Sequence, residues 1–144
     1  MPTMTAEIDI RATPGEILAV IADVTAYPQW SAVHKWTAVD STFRDGRPRR
    51  VTMRVSAAGL ADTLVLDYAW SADGVSWSLV KPTLQQKDQR GSYSIVDGGD
   101  VSHVACELTI VTAIPMPGII VRGIMETAIR AGTDGLKQRV ESRR

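Results

Sequence analysis

Between residues 51 and 110 the sequence alternates apolar and polar side chains, and this pattern constrains the fold more than any other feature. Five successive runs show it: VTMRVS, TLVLDYAW, VSWSLV, GSYSIV and VACELTI. A period of two places the apolar side chains of a β-strand on one face. Turn signals accompany the runs at Asp45-Gly46, at Asp73-Gly74 and in the DGGD segment at 97–100, and Asp-Gly favours tight hairpins. The pattern therefore predicts an antiparallel meander.

The segment before these runs changes from strand to helix. AEIDIRA alternates like a strand with one wet face. In TPGEILAVIADV, Thr13 is placed to cap a helix and Glu16 completes a capping box. Pro28 interrupts simple continuation, so a second short helix is expected to carry Tyr27 and Trp30.

The C-terminal segment IIVRGIMETAIRAGTDGLKQRVE is long enough for several helical turns. Its glycines weaken a helix by roughly 1 kcal/mol each relative to alanine. They indicate either close packing of the helix against the sheet or a void between the two. The order of elements predicts an α+β fold in which a curved antiparallel sheet wraps around the long C-terminal helix.

Composition narrows the class of protein. A chain of 144 residues with 44% hydrophobic residues predicts one domain, 1–144, with a real core. The net charge of zero argues against binding to DNA and also against RNA. The densest basic run, RDGRPRR at 44–50, is interpreted as a solvated loop.

Cysteine and histidine content argues against a metal site. Cys106 is the single cysteine, so it forms no intrachain disulfide and no cysteine metal cluster. His34 and His103 are isolated, and no cofactor is expected. There is no signal sequence, and AIPMPGIIV is too short for an integral membrane segment, so a cytoplasmic location is predicted.

Alternate positions along each run belong to opposite faces of the sheet, one inner and one outer, and this assignment is termed the parity of a residue. Arg54, Arg90 and His103 fall on the outer parity, which weakens a catalytic interpretation. Apolar and aromatic residues share the inner parity, and the C-terminal helix adds further apolar positions. Those from the strands are Met53, Leu64, Leu66, Tyr68, Trp70, Trp77, Leu79, Tyr93 and Cys106; those from the helix are Ile120, Ile124 and Met125.

Several segments together resemble the START-like (SRPBCC) superfamily, in particular its polyketide cyclase/dehydrase and lipid transport group, which is similar to the coenzyme Q-binding proteins. DVTAYPQW is similar to the family's D-x-x-x-Y-P-x-W segment, and RGSYSIVDGGDVSHVACELTI resembles its Gly-aromatic strand and following hairpin. The resemblance implies a helix-grip fold with two short helices after the first strand. It also implies an apolar cavity between sheet and C-terminal helix, without metal or prosthetic group.

Three functions are compatible with this resemblance. The first is binding or transport of a small hydrophobic ligand, lipid, quinone or polyketide-like, by a monomer or homodimer. The second is a polyketide cyclase/dehydratase (aromatase) using Tyr68 and Tyr93; the third is a macromolecular interaction module of the ribosome-associated toxin type. Trp30 is either a core plug or a cavity wall, and Met116 lies in a candidate lid. The expected ligand-binding residues are Trp30, Met53, Leu66, Tyr68, Trp70, Trp77, Tyr93, Cys106, Met116, Ile120 and Ile124.

Overall fold

The predicted strands form one antiparallel sheet around the C-terminal helix. The computed structural model describes residues 2–143 of the chain. The strands are β1 (Thr3–Ile10), β2 (His34–Thr42), β3 (Pro48–Ala57), β4 (Leu60–Ser71), β5 (Gly74–Leu79), β6 (Gln86–Asp97) and β7 (Ser102–Thr112). Their spatial order is β1-β7-β6-β5-β4-β3-β2, so β2 to β7 form a meander and β1 pairs with β7.

Two short helices follow β1, as predicted. Helix α1 (Pro14–Ala22) begins after Thr13, whose side chain and that of Glu16 form the expected capping box. A single 3-10 turn (Val24–Ala26) then leads into α2 (Tyr27–Trp30). Because β1 and β2 are at opposite edges of the sheet, this helical connection crosses from one edge to the other.

Glycines shape the hairpins for two different reasons. Gly46 has a φ of 91°, the left-handed conformation that an Asp-Gly turn requires. Gly74 instead begins β5, and a Cβ there would lie 2.4 Å from the carbonyl oxygen of Tyr93. Its role is to permit close approach of strands. The β3–β4 hairpin turns at Ala58-Gly59, with φ of 52° and 81°, a turn that the sequence pattern did not identify.

The C-terminal helix is long but not uniform. It consists of α3 (Gly118–Arg130), a π-helical segment (Ala131–Gly135) and α4 (Leu136–Ser142). The π-helical segment was not predicted, because wide helical turns leave no simple mark in residue spacing. Apolar side chains along the helix are buried against the sheet: Val121, Met125, Ile129, Leu136 and Val140.

The glycines of this helix do not all have the same surroundings. A Cβ on Gly132 would lie 2.7 Å from the hydroxyl of Tyr93, and one on Gly135 would lie 2.6 Å from the carbonyl oxygen of Trp30. A Cβ on Gly123 would meet nothing within 4 Å. Close packing therefore explains the two glycines of the π-helical segment, and the earlier part of the helix stands in more open space.

The outer face of the sheet carries the charged residues that parity assigned to it. His103 lies on β7 with its ring nitrogens 2.6 Å from a Glu7 oxygen and 2.8 Å from an Asp9 oxygen, both on β1. In the basic run, Arg50 forms an ion pair of 2.8 Å with Asp67.

Arg47, in the same run, forms an ion pair of 2.8 Å with Asp45 and lies over the ring of Trp70. Two of the run's four arginines thus have carboxylate partners in the protein itself. Among residues 2–143, no helix is long and apolar enough to cross a membrane.

Substitution of Gly135 by alanine is expected to destabilise the protein by about 1–3 kcal/mol, because the new Cβ would overlap the backbone of Trp30. Substitution of Gly123 in the same helix is the matched control. It should stabilise the protein by about 0.5–1 kcal/mol, since the Cβ enters open space and alanine favours the helix. Urea denaturation measures both values, and equal effects of the two substitutions would contradict the packing described here.

The hydrogen bonds of His103 predict that the stability of the folded protein depends on pH. Hydrogen bonds to Glu7 and Asp9 raise the pKa of His103 above its ordinary value of 6.5. The charged form is favoured in the folded state, so this stabilisation is complete below about pH 6.5 and is lost as the pH rises through the folded pKa. The Tm difference between wild type and His103→Gln should therefore be larger at about pH 5.5 than at about pH 8.5. A difference that is constant with pH would exclude this contribution.

Candidate functional site

A cavity of about 140 Å³ lies between the inner face of the sheet and helix α3. The side chains around it come from β3 to β7, from α2 and from α3, so no single segment forms the site. Nine of the eleven residues expected to bind a ligand lie on its wall. They are Trp30, Met53, Leu66, Tyr68, Trp77, Tyr93, Cys106, Met116 and Ile124.

Three aromatic residues on adjacent strands form a row along the wall. Tyr68 pairs with Trp77 across β4 and β5, and their ring centroids are 6.1 Å apart. The ring of Trp77 lies 5.6 Å from that of Tyr93 on β6. These distances are typical of favourable aromatic contacts. The row is a rigid part of the wall and presents ring surface to the cavity.

Gly91 allows this row to form. It faces Trp77 across β5 and β6, and a Cβ there would lie 2.1 Å from the indole ring. Trp77 therefore lies flat over the glycine and extends its Nε1 to within 3.2 Å of the Gln89 side-chain oxygen. A side chain at position 91 would force the ring out of this place.

Helix α2 forms another part of the wall. The hydroxyl of Tyr27 donates to the carbonyl oxygen of Ile21 at 2.5 Å, and its ring contacts Trp30 and His34 edge to face. Trp30 packs on the helix near Gly135 and also lines the cavity, so it is both a packing residue and a wall residue. Its buried Nε1 has no hydrogen-bond partner among the described residues.

Burial favours the neutral forms of the tyrosines, Cys106 and His34 in the wall. Burial raises the pKa of Tyr68 to about 12 and that of Cys106 to about 12. Burial also raises the pKa of Tyr93 and lowers that of His34 to about 4. The Cys106 thiol, as predicted, is a small buried hydrophobic group, and a high pKa makes it a poor nucleophile.

Two of the residues expected to bind a ligand, Trp70 and Ile120, lie away from the cavity wall. Trp70 shares the inner parity of β4, but it follows Tyr68 toward the end of the strand. There its Nε1 donates to the carbonyl oxygen of Pro48 at 2.8 Å, and Arg47 covers its ring. Ile120 is 45% exposed, because the helical turn directs Val121 rather than its neighbour to the sheet.

The candidate cyclase residues differ in how their hydroxyls are used. Tyr93 donates its hydroxyl to the carbonyl oxygen of Gly132 at 2.7 Å, which ties β6 to the π-helical segment. Tyr68 lies next to Tyr27, whose hydroxyl acts against the pKa rise that burial causes in Tyr68. The wall formed by the described residues contains neither lysine nor arginine.

The wall also contains a group of polar residues that the sequence pattern did not identify. Gln89 is 8% exposed and donates at 2.8 Å to the side-chain oxygen of Gln86. Asp62 is 9% exposed and accepts a hydrogen bond from the Thr83 hydroxyl. With Gln85, the residues Asp62, Gln86 and Gln89 are termed the polar end.

The alternation of inner and outer positions indicates that two residues of the polar end face inward. Asp62 precedes Leu64 by two positions on β4, and Gln89 precedes Gly91 by two positions on β6. Extending the alternation past the apolar positions would have placed both side chains inward.

The chain is similar in sequence and in fold to known proteins. The family model described as polyketide cyclase/dehydrase and lipid transport matches residues 1–141. A START superfamily protein from Mycobacterium smegmatis is 22% identical, with 99% of each chain covered and a TM-score of 0.88. A protein from Thermus thermophilus is 18% identical, with 98% of each chain covered and a TM-score of 0.85. No curated protein matches the chain significantly.

The Zhui aromatase/cyclase from Streptomyces sp. R1128 is 11% identical, with 99% of this chain and 94% of that chain covered and a TM-score of 0.86. At such identities these structures are evidence for the fold alone, and they confirm the START-like helix-grip fold. The family model matches nearly every residue. The chain therefore belongs to the polyketide cyclase/dehydrase and lipid transport family.

Proposed function

We propose that the protein binds a small hydrophobic ligand in the cavity and carries it without changing it chemically. The observation that supports this most is the wall itself, which is apolar and aromatic except at the polar end. Such a concave apolar site with a few polar groups at one place is typical of ligand-binding pockets. Ligands of this kind gain affinity from burial, and the polar groups orient them.

The cavity volume limits the ligand. An apolar cavity of about 150 Å³ holds a molecule the size of benzene, and pockets for larger ligands have roughly 300–1,000 Å³. At about 140 Å³, the cavity accepts one ring or a short alkyl chain. A lipid, quinone or polyketide-like ligand requires movement of flexible wall residues such as Met116 and Met125, since methionine adapts readily to different shapes.

Filling the cavity should abolish binding. Ala128 on α3 lines the cavity, whereas Thr127 beside it is exposed. Ala128→Leu should lower the affinity for ethylbenzene at least tenfold, about 1.4 kcal/mol, because the added side chain occupies ligand space. Thr127→Leu adds a leucine to the same helix outside the cavity and should change the affinity little.

Ligand-observed NMR titration measures both affinities. Equal affinity of wild type and Ala128→Leu would show that ethylbenzene binds elsewhere.

The natural ligand can be sought directly. Native mass spectrometry of the protein purified from its own host should detect a hydrophobic molecule at a stoichiometry of about one, which organic extraction then identifies. Any such ligand should raise the Tm, with about 2.7 kcal/mol of stabilisation at a concentration of 100 Kd. An empty protein that no hydrophobic compound stabilises would contradict the carrier function.

The second candidate is a polyketide cyclase/dehydratase acting in the same cavity. The family description and the fold shared with an aromatase/cyclase support it. Such chemistry needs groups that polarise ketones and transfer protons. In the described wall, Tyr93 already donates to Gly132 and no cationic side chain accompanies Tyr68. For this reason the carrier function is preferred.

Substitution of the two tyrosines distinguishes these functions. For a carrier, Tyr68→Phe and Tyr93→Phe should leave the affinity for ethylbenzene within about threefold, since both rings remain. Tyr93→Phe should also cost about 1 kcal/mol of stability through the lost hydrogen bond to Gly132. Turnover of a poly-β-ketone substrate by the wild type, abolished by both substitutions, would support the cyclase and overturn the carrier.

A further inference from the structure

The polar end carries a buried carboxylate without a cationic partner, and we infer that Asp62 receives a hydrogen-bond-donating head group of the ligand. The head group is an alcohol or an amine and not a carboxylate. This inference rests on the proposed function, because it assigns the orientation and chemical class of a ligand in the same cavity.

The side chain of Asp62 is held in a defined position. Its Oδ1 accepts from the backbone N–H of Thr63 at 2.9 Å, and its Oδ2 accepts from the hydroxyl of Thr83. A carboxylate has about four positions for hydrogen-bond donors, so these two bonds leave about half of its capacity. Asp62 is 9% exposed and lines the cavity, and donors in a bound ligand can therefore reach the remaining positions.

This carboxylate has no cationic partner among the described residues. Among residues 2–143, no lysine, arginine or histidine lies within salt-bridge distance of Asp62. Buried carboxylates are normally paired with a cation, because the loss of hydration is costly. By contrast, Asp67 on the outer face of the same strand has the Arg50 guanidinium at 2.8 Å.

The neighbouring amides do not take the place of a cation. The side-chain amide of Gln85 donates to the carbonyl oxygen of Ala61, and that of Gln89 donates to Gln86. One hydrogen of each of these two amides is thus directed to another acceptor, and no described glutamine side chain donates to Asp62. The carboxylate is left to accept from a hydroxyl or ammonium group of the ligand, while it repels a ligand carboxylate.

A purely structural role of Asp62 makes a different prediction. Its hydrogen bond with Thr83 links β4 to the connection between β5 and β6. If this were its whole role, substitution of Asp62 would weaken all ligands alike. A role in recognition changes the order in which ligands with different head groups bind.

The test uses four ligands that share one phenyl ring: ethylbenzene, 2-phenylethanol, 2-phenylethylamine and phenylacetate. Affinities are measured by ligand-observed NMR titration at neutral pH, where the amine is protonated. Wild type should bind the alcohol and the amine at least tenfold more tightly than phenylacetate. In Asp62→Asn, which removes the charge and adds donors, the ratio of amine to phenylacetate affinity should fall at least tenfold. Asp67→Asn, the matched control on the same strand, should keep the wild-type order.

Each other outcome contradicts the inference. The inference is overturned if wild type binds phenylacetate as tightly as the alcohol and the amine, or more tightly. It is also overturned if the order of ligand affinities is unchanged in Asp62→Asn. If ethylbenzene binds but head groups make no difference, the carrier function stands and the role of Asp62 is wrong. If none of the four ligands binds, both proposals fail for ligands of this size. If Asp62→Asn does not fold, as judged by circular dichroism, the order of ligand affinities measured with wild type still tests the inference.

Discussion

The close approach of the π-helical segment to the rest of the protein fixes the C-terminal helix on the sheet. A Cβ on Gly132 would lie 2.7 Å from the Tyr93 hydroxyl, and one on Gly135 would lie 2.6 Å from the carbonyl oxygen of Trp30. These contacts hold the later half of the C-terminal helix in place. The cavity lies between α3 and the sheet, so the helix that closes the core also forms part of the cavity wall.

The same contacts serve both the packing of the helix and the composition of the cavity wall. Tyr93 uses its hydroxyl to fix the helix and its ring to extend the aromatic row, so one side chain serves the fold and the site together. Burial keeps the pKa values of the wall tyrosines and of Cys106 high. Away from Asp62, these neutral groups favour apolar molecules. The described wall contains neither lysine nor arginine, which would stabilise the anionic intermediates of a reaction.

The carboxylate and amide side chains of the wall all belong to the polar end, and this division gives the cavity a direction. Along β4, Leu64 and Leu66 lie between Asp62 and Tyr68, and all four residues line the cavity. The strand from Asp62 to Tyr68 spans roughly 20 Å, which is longer than one ring. The cavity volume, rather than its length, therefore restricts what binds.

Residue spacing alone was sufficient for β1 and β3 to β7, the capped helix α1 and the inward direction of Met53, Tyr68 and Cys106, because local periodicity is imposed by backbone geometry. It did not mark out β2. It did not exclude Trp70, which has the correct parity but lies beyond the cavity, since parity gives a face and not a position along it. Only the tertiary structure decided four other features. They are the π-helical segment, the contact of Gly135 with Trp30, the placement of Trp77 over Gly91 and the lack of a cation near Asp62 among residues 2–143. Each depends on distances between residues remote in the chain, which no local pattern encodes.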